Sequence, residues 1–189
     1  MPVLQIVVTS TRPGRKGPRV AAWFAEKARE HGVFEVELVD LADVGLPMFD
    51  EPHHPSQRNY VHEHTKRWSE RVSRADAFVF VTPEYNHGTP PALVNALDHL
   101  LHEWAYKPAA FVSYGGISGG TRSVVMSKSL LTSLKIMPIP ESVAIPMIGT
   151  HFPDPEGPFV ADDRLDRGPR GLLDELARWE QALRALRRP

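Results

Sequence analysis

Three short stretches of the chain are apolar almost throughout: VLQIVV (Val3–Val8), AFVFVT (Ala77–Thr82) and AAFVSY (Ala109–Tyr114). Runs of this length without alternation predict strands buried on both faces. FEVELVDL (Phe34–Leu41) alternates instead, with Phe34, Val36 and Leu38 set against Glu35 and Glu37. That pattern predicts a strand with one half-wet face, at the edge of a sheet. SVAIPM lies among Pro138, Pro140 and Pro146, a density of proline that suits only the opposite edge. Between the strands the period changes. Val20, Trp23, Phe24 and Ala28 mark one face of a helix from Gly17 to Glu30, with Gly32 as its stop. Val61, Thr65, Trp68, Val72 and Ala75 predict a second helix from about Gln57 to Arg74. A third, Ala92–Trp104, carries Leu93, Leu97, Leu100 and Trp104, and GGTRSVVMSKSLLTSLK reads as a fourth. The last places Leu172, Leu176, Trp179, Leu183 and Leu186 on one stripe, after a long loop over Gly149–Gly171.

Strands and helices thus alternate five times, which predicts a parallel sheet covered on both faces. Setting the alternating strand outside the first gives the order 2-1-3-4-5. The expected fold is therefore α/β: a flavodoxin-like three-layer sandwich, formed by residues 1–189 as a single domain. Five strands of a Rossmann half are the competing choice, but nothing after the first strand reads G-x-G-x-x-G.

Composition narrows the chemistry. A net charge of −1 gives no overall field to recruit nucleic acid or an anionic membrane, so neither is expected as a partner. The absence of cysteine excludes disulfides, thiolate catalysis and cysteine-held metals. The start, MPVLQIVVTS, has neither a basic leader nor a stretch that could span a bilayer, so a cytoplasmic location is expected.

In the order 2-1-3-4-5 the chain reverses direction between strands one and three, and ligands sit outside the carboxyl ends of the strands there. Three unusual loops converge on that point: TSTRPGRKG, PEYNHGTPP (Pro83–Pro91) and YGGISGG (Tyr114–Gly120). The first enters a helix, so free backbone N–H groups and the positive dipole end point into it. Ser10 and Thr11 add hydroxyls, and Arg12 and Arg15 add charged forks. This is an anion cradle suited to a terminal phosphate. It is not a Walker A loop, because no G-K-[ST] closes it. In the second loop Tyr85 offers a flat surface and Asn86 an amide that both donates and accepts, while Gly88 permits unusual backbone angles. In the third, glycines let the backbone approach a flat ligand.

These motifs carry a family resemblance. S-T-R-P-x-R-x-G after the first strand, PEYN-x-G-x-P-x-x-L-x-N-A-L-D after the third and SYGG-x-SGG after the fourth resemble the NAD(P)H-dependent FMN reductases. That family includes flavin, quinone, azo-dye and chromate reductases. The resemblance implies FMN as cofactor and NADPH or NADH as electron donor. It also implies a ping-pong cycle that delivers electrons to a quinone or other small acceptor. Ser10, Arg12, Arg15, Gly17, Pro18 and Arg19 would surround the FMN phosphate. Pro83, Glu84, Tyr85, Asn86 and Gly88 would border the isoalloxazine, with Ser113, Gly115 and Gly116 on its other side. No catalytic side chain is implied, since the flavin carries the chemistry. A homodimer or homotetramer is implied too, with Leu101 and Trp104 buried between subunits near the open flavin face.

Other readings compete. His62 and His64, two apart on the expected helix, point in well-separated directions, and His53 and His54 lie in a loop, so no metal site is expected. Ser118 and Ser123 lack the G-x-S-x-G elbow of a hydrolase. A flavodoxin-type electron carrier is the main rival, but the near-neutral charge and the arginines of the first loop favour an enzyme. An FMN-binding regulator stays open.

Overall fold

The computed structural model describes residues 1–187. Its five strands, β1 (Val3–Val8), β2 (Glu35–Asp40), β3 (Ala77–Pro83), β4 (Pro108–Tyr114) and β5 (Met137–Ile145), form one parallel sheet in the order β2-β1-β3-β4-β5. The two-residue period of the central strands divides the core in two. Leu4, Ile6, Val79, Val81, Ala110 and Val112 face one side, where α1 (Gly17–His31) and α6 (Asp163–Leu183) cover them. Val7, Phe78, Phe80, Ala109 and Phe111 face the other, under α3 (Glu63–Ser73), α4 (Pro91–Asp98) and α5 (Thr121–Ser133). Such burial of large side chains on both faces stabilises each by roughly 1.5–3 kcal/mol. A short helix, α2 (Leu41–Val44), follows β2 and is capped by the Asp40 carboxylate, which accepts from Ala42 N.

Several elements depart from the sequence expectation. Leu38 is 43% exposed while Val39 is fully buried, because β2 has a neighbour on one side only and its second face packs beside Leu41. α3 begins six residues later than its apolar period suggests. The Glu51 carboxylate accepts from the N–H groups of Val61 (2.8 Å) and His62 (3.0 Å), which holds that segment outside the helix and leaves Val61 exposed. His62 is therefore a cap residue with extended backbone, and its ring stacks on that of His64 at 5.1 Å instead of diverging from it. α4 stops at Asp98, yet Leu100 and Trp104 remain buried in the turns beyond. Trp104 packs on Trp68 and Phe78 in this chain's own core, so it is not free to form a subunit interface. Its indole donates to Leu97 O. Finally, α6 starts at Asp163 and runs through Pro169, so the loop before it is shorter than Gly-Pro punctuation suggests.

At the amino-terminal end of the sheet, Lys107 Nζ donates to Val72 O (2.8 Å) and Ser73 O (3.3 Å), satisfying the last carbonyls of α3. Burial pushes its pKa down to about 8. A cavity of about 860 Å³ opens beside it, lined by Tyr60, Asp76, Glu103 and Arg187. These groups are mutually engaged: Tyr60 donates to Glu103, and Arg187 pairs with Asp76.

Candidate functional site

At the carboxyl end of β1 the chain turns away from the sheet while staying tied to β3. Thr9 N and Thr9 Oγ1 both donate to Val81 O, each at 3.1 Å. Ser10 is fully buried, and its Oγ accepts from the Tyr114 hydroxyl at 3.2 Å. Burial pushes the Tyr114 pKa up to about 12, so that hydroxyl stays a donor near neutral pH. Pro13 and Gly14 form the turn; Gly14 has φ +69°, which glycine adopts freely. Gly17 opens α1 directly above this floor. A Cβ there would stand 2.9 Å from Tyr114 Oη and 3.0 Å from Val8 Cγ1, and closer still to Ser10 Oγ. Only a glycine lets the helix end descend so far.

The four cations of the loop take different positions. Arg12 is exposed and makes no ion pair among the described residues. Arg15 does not stand open as the sequence suggests. Its Nη1 donates to Asp40 Oδ1 (2.6 Å) and to Ser10 O (2.8 Å), and the Asp40 hydrogen bond raises its pKa further. Arg15 thus braces the loop against the end of β2. Arg19 reaches Pro155 O (2.7 Å) and Gly157 O (2.8 Å), and its guanidinium lies 4.3 Å from the Phe152 ring centre. Lys16 covers the same ring at 4.2 Å. Pro18 occupies the first turn of α1, where the missing N–H costs nothing. Meanwhile the N–H groups of Thr11, Arg12 and Gly14 donate to no protein acceptor among the described residues. Free donors, a helix N-terminus without acidic residues in its first turn, and an unpaired Arg12 suit a phosphate.

The second loop follows Pro83, the last residue of β3. Glu84 turns inward. Its carboxylate accepts from Arg122 Nε (2.7 Å), Ser118 Oγ (2.9 Å) and Arg122 N (3.2 Å), and the Arg122 bond holds its pKa below the usual range. This side chain joins the second loop to the third and to the start of α5. Tyr85 and Gly88 exchange both backbone hydrogen bonds across a two-residue turn. Asn86 (φ 49°) and His87 (φ 66°) both lie in the left-handed region there, as such a turn demands. Buried hydroxyls hold the turn on α5: Thr89 and Ser127 are 2.9 Å apart, and Ser127 Oγ donates to Ser123 O at 2.8 Å.

In the third loop Ser113 Oγ donates to Gly119 O (2.8 Å), which closes the loop on itself. Gly115 N donates to Ile145 O, while Gly115 O and Gly116 O accept from Ile148 N and Met147 N. Gly119 (φ +60°) and Gly120 (φ +84°) have no room for a side chain; a Cβ on Gly120 would lie 2.8 Å from the Tyr114 backbone. Gly116 is the opposite case. It is exposed, with nothing within 4 Å of a Cβ position, and Ile117 beside it is 92% exposed. The three loops therefore leave an open, glycine-edged surface next to a cationic cradle. Asp40, Tyr114, Arg122 and Gly120 support this site and were not among the residues expected from the sequence. Tyr114 and Gly120 stood inside YGGISGG, but Asp40 and Arg122 gave no sequence signal.

Order 2-1-3-4-5, with the cradle at its switch point, defines a flavodoxin-like mononucleotide-binding protein. Residues 1–150 match the family model described as NADPH-dependent FMN reductase, and the chain belongs to that family of oxidoreductases, which use FMN and NAD(P)H. It is 47% identical over 121 residues to an NAD(P)H-dependent FMN reductase of Schizosaccharomyces pombe, a match spanning 63% of this chain and 60% of that relative. It is 31% identical over 189 residues to a quinone reductase of Pseudomonas putida, covering 96% of each. Among solved structures, the flavoenzyme NAD(P)H:(acceptor) oxidoreductase FerB of Paracoccus denitrificans shares the fold. Its TM-score is 0.74 at 21% identity, covering 96% of this chain and 98% of that one.

Proposed function

We propose that the chain holds FMN across the three loops and passes reducing equivalents from NADPH or NADH to a quinone or another flat small molecule, in alternate half-reactions. The observation that carries this is the Ser10–Gly17 cradle, whose free N–H groups and unpaired Arg12 fit a phosphate and whose depth requires Gly17. Bound flavin supplies the hydride chemistry. The protein does the rest. Ser10, Thr11, Arg12 and the start of α1 take the phosphate, and Arg15 keeps that loop in place through Asp40. Pro83–Asn86 and Gly88 border one side of the ring, with Ser113, Gly115 and Gly116 at the other. The open space over Gly116 admits the nicotinamide first and the acceptor after it. One site serving both substrates in turn is what makes the cycle ping-pong.

A homodimer or homotetramer working in the cytoplasm fits this reading. Among the described residues, no helix is long and apolar enough to cross a membrane. The test is a stopped-flow reaction of the yellow protein with each nicotinamide, followed by steady-state rates at several quinone concentrations. Flavin bleaching within seconds and parallel double-reciprocal lines are expected. A flavin that neither nicotinamide reduces would return the electron-carrier reading.

A further inference from the structure

Away from the cradle, the segment after α2 crosses α3 and the end of α4, and there it brings Asp50, His64 and His99 together. One ligand atom from each lies within 4.8 Å of the others. His99 is fully buried, at the carboxyl end of α4. Its Nδ1 is 2.8 Å from Asn95 O, and a carbonyl can only accept, so Nδ1 carries the proton. Nε2 is left with a bare lone pair, buried and without a hydrogen-bond partner. His64 Nε2 lies 2.9 Å from Asp50 Oδ1. The rings of His64 and His99 are 6.0 Å apart and inclined at 78°, so they approach from different directions.

We propose that Asp50, His64 and His99 bind one divalent transition-metal ion of the zinc class, through an Asp50 carboxylate oxygen and Nε2 of each histidine. Two imidazoles with one carboxylate suit zinc and its neighbours; magnesium and calcium prefer oxygen donors throughout. The orphaned Nε2 is the fixed point, already oriented by the bond from Nδ1 to the Asn95 carbonyl, an arrangement that recurs behind metal-bound histidines. Zinc–nitrogen bonds of about 2.0–2.1 Å require small shifts of the three donors, with Asp50 and His64 parting as both approach His99. Asp50, on an exposed loop, and the partly exposed His64 have that freedom. Solvent completes the coordination on the Asp50 side.

The ion would pin the 45–54 loop to two helices at once. Asn95 already holds that loop by accepting from Phe49 N and donating to Pro47 O. The same loop walls a cavity of about 390 Å³ shared by Met48, Leu46, Asn95 and Thr11, the last a cradle residue. Of the histidines clustered between residues 53 and 64, the site uses only His64. Its other ligands come from residues 50 and 99, which is why the run of histidines alone did not suggest it.

The proposal stands independently of the flavin. Full-length protein stripped with a chelator is titrated calorimetrically with zinc chloride. One ion per chain and a rise in melting temperature are expected. Asp50→Asn and His64→Gln, both at exposed or partly exposed positions, should keep the metal-free melting temperature while weakening zinc about tenfold or more. A His53→Gln/His54→Gln double variant should bind as the parent does. Absence of saturable uptake overturns the proposal, as does uptake unchanged in Asp50→Asn and His64→Gln, or uptake lost in the double variant.

Discussion

Gly17→Ala inverts the usual rule for a helix. At an unobstructed helical position alanine is favoured over glycine by about 1 kcal/mol. Here the new methyl would enter a space already filled by Ser10 Oγ, Tyr114 Oη and Val8 Cγ1. None of these is the free end of a long side chain. Ser10 could rotate away, but the buried Tyr114 hydroxyl would then lose its acceptor, at about 1–3 kcal/mol. If Ser10 stays, α1 must lift, and overpacking of this kind costs about 1–3 kcal/mol. Subtracting the propensity gain leaves a net loss of up to about 2 kcal/mol, or up to roughly 8 °C in melting temperature for a chain of this size. Because the displaced groups form the cradle floor, FMN should weaken about tenfold, which is about 1.4 kcal/mol. Riboflavin, lacking the phosphate, should change much less. Thermal melts of the apoprotein with parallel FMN and riboflavin titrations give both readings. An alanine variant more stable than the parent by about 1 kcal/mol, as at an unobstructed position, or one that loses both ligands equally, would refute the close descent of α1 onto Ser10.

Arg12→Ala removes an unpaired guanidinium and should cost FMN binding about 1.5–3 kcal/mol with little effect on riboflavin. Arg15→Ala should cost FMN less and stability more, because it strands Asp40; fluorescence titration and melting separate the two. Gly116→Val fills open space without touching packed atoms, so the variant should stay yellow and react with dithionite yet lose most of its reduction by NADPH or NADH. Normal stopped-flow rates would show that the nicotinamide stacks elsewhere. Lys107 has a pKa near 8 when folded against an ordinary 10.5. Between those values the unfolded chain holds the extra proton, so stability should rise with pH by about 2–3 kcal/mol. Urea melts of Lys107→Met, compared with the parent from pH 7.5 to 10, should lack that rise.

The sheet was legible because its signals are local. AFVFVT and AAFVSY could only be strands buried on both faces, and prolines around SVAIPM left that segment no place but an edge. The three loops were legible for the same reason: each follows its strand directly. What escaped was set by partners distant in the chain. The start of α3 depends on Glu51, ten residues before Val61, and the place of Arg15 depends on Asp40. Pro169 falls in the stretch expected as a loop over Gly149–Gly171, although α6 runs through it and buries it. Trp104 was expected between subunits from the family resemblance, whereas its indole packs on Trp68 and Phe78 within the chain. Electrostatics on a surface loop cannot be sorted into free and engaged cations until the fold supplies the acceptors.

Arg19 leans on Phe152 and on carbonyls from Pro155 and Gly157, all beyond the last residue that matches the family model. Phe159 of the same segment packs on Trp23 at 5.0 Å. The segment after residue 150 is therefore a buttress for the start of α1. A fragment ending at Ile145 would retain every strand and every loop motif and still leave Val20, Trp23 and Phe24 uncovered on α1. Shortening that segment would thus loosen Arg19 and the first turn of α1 while leaving the sheet and its three loops unchanged in sequence.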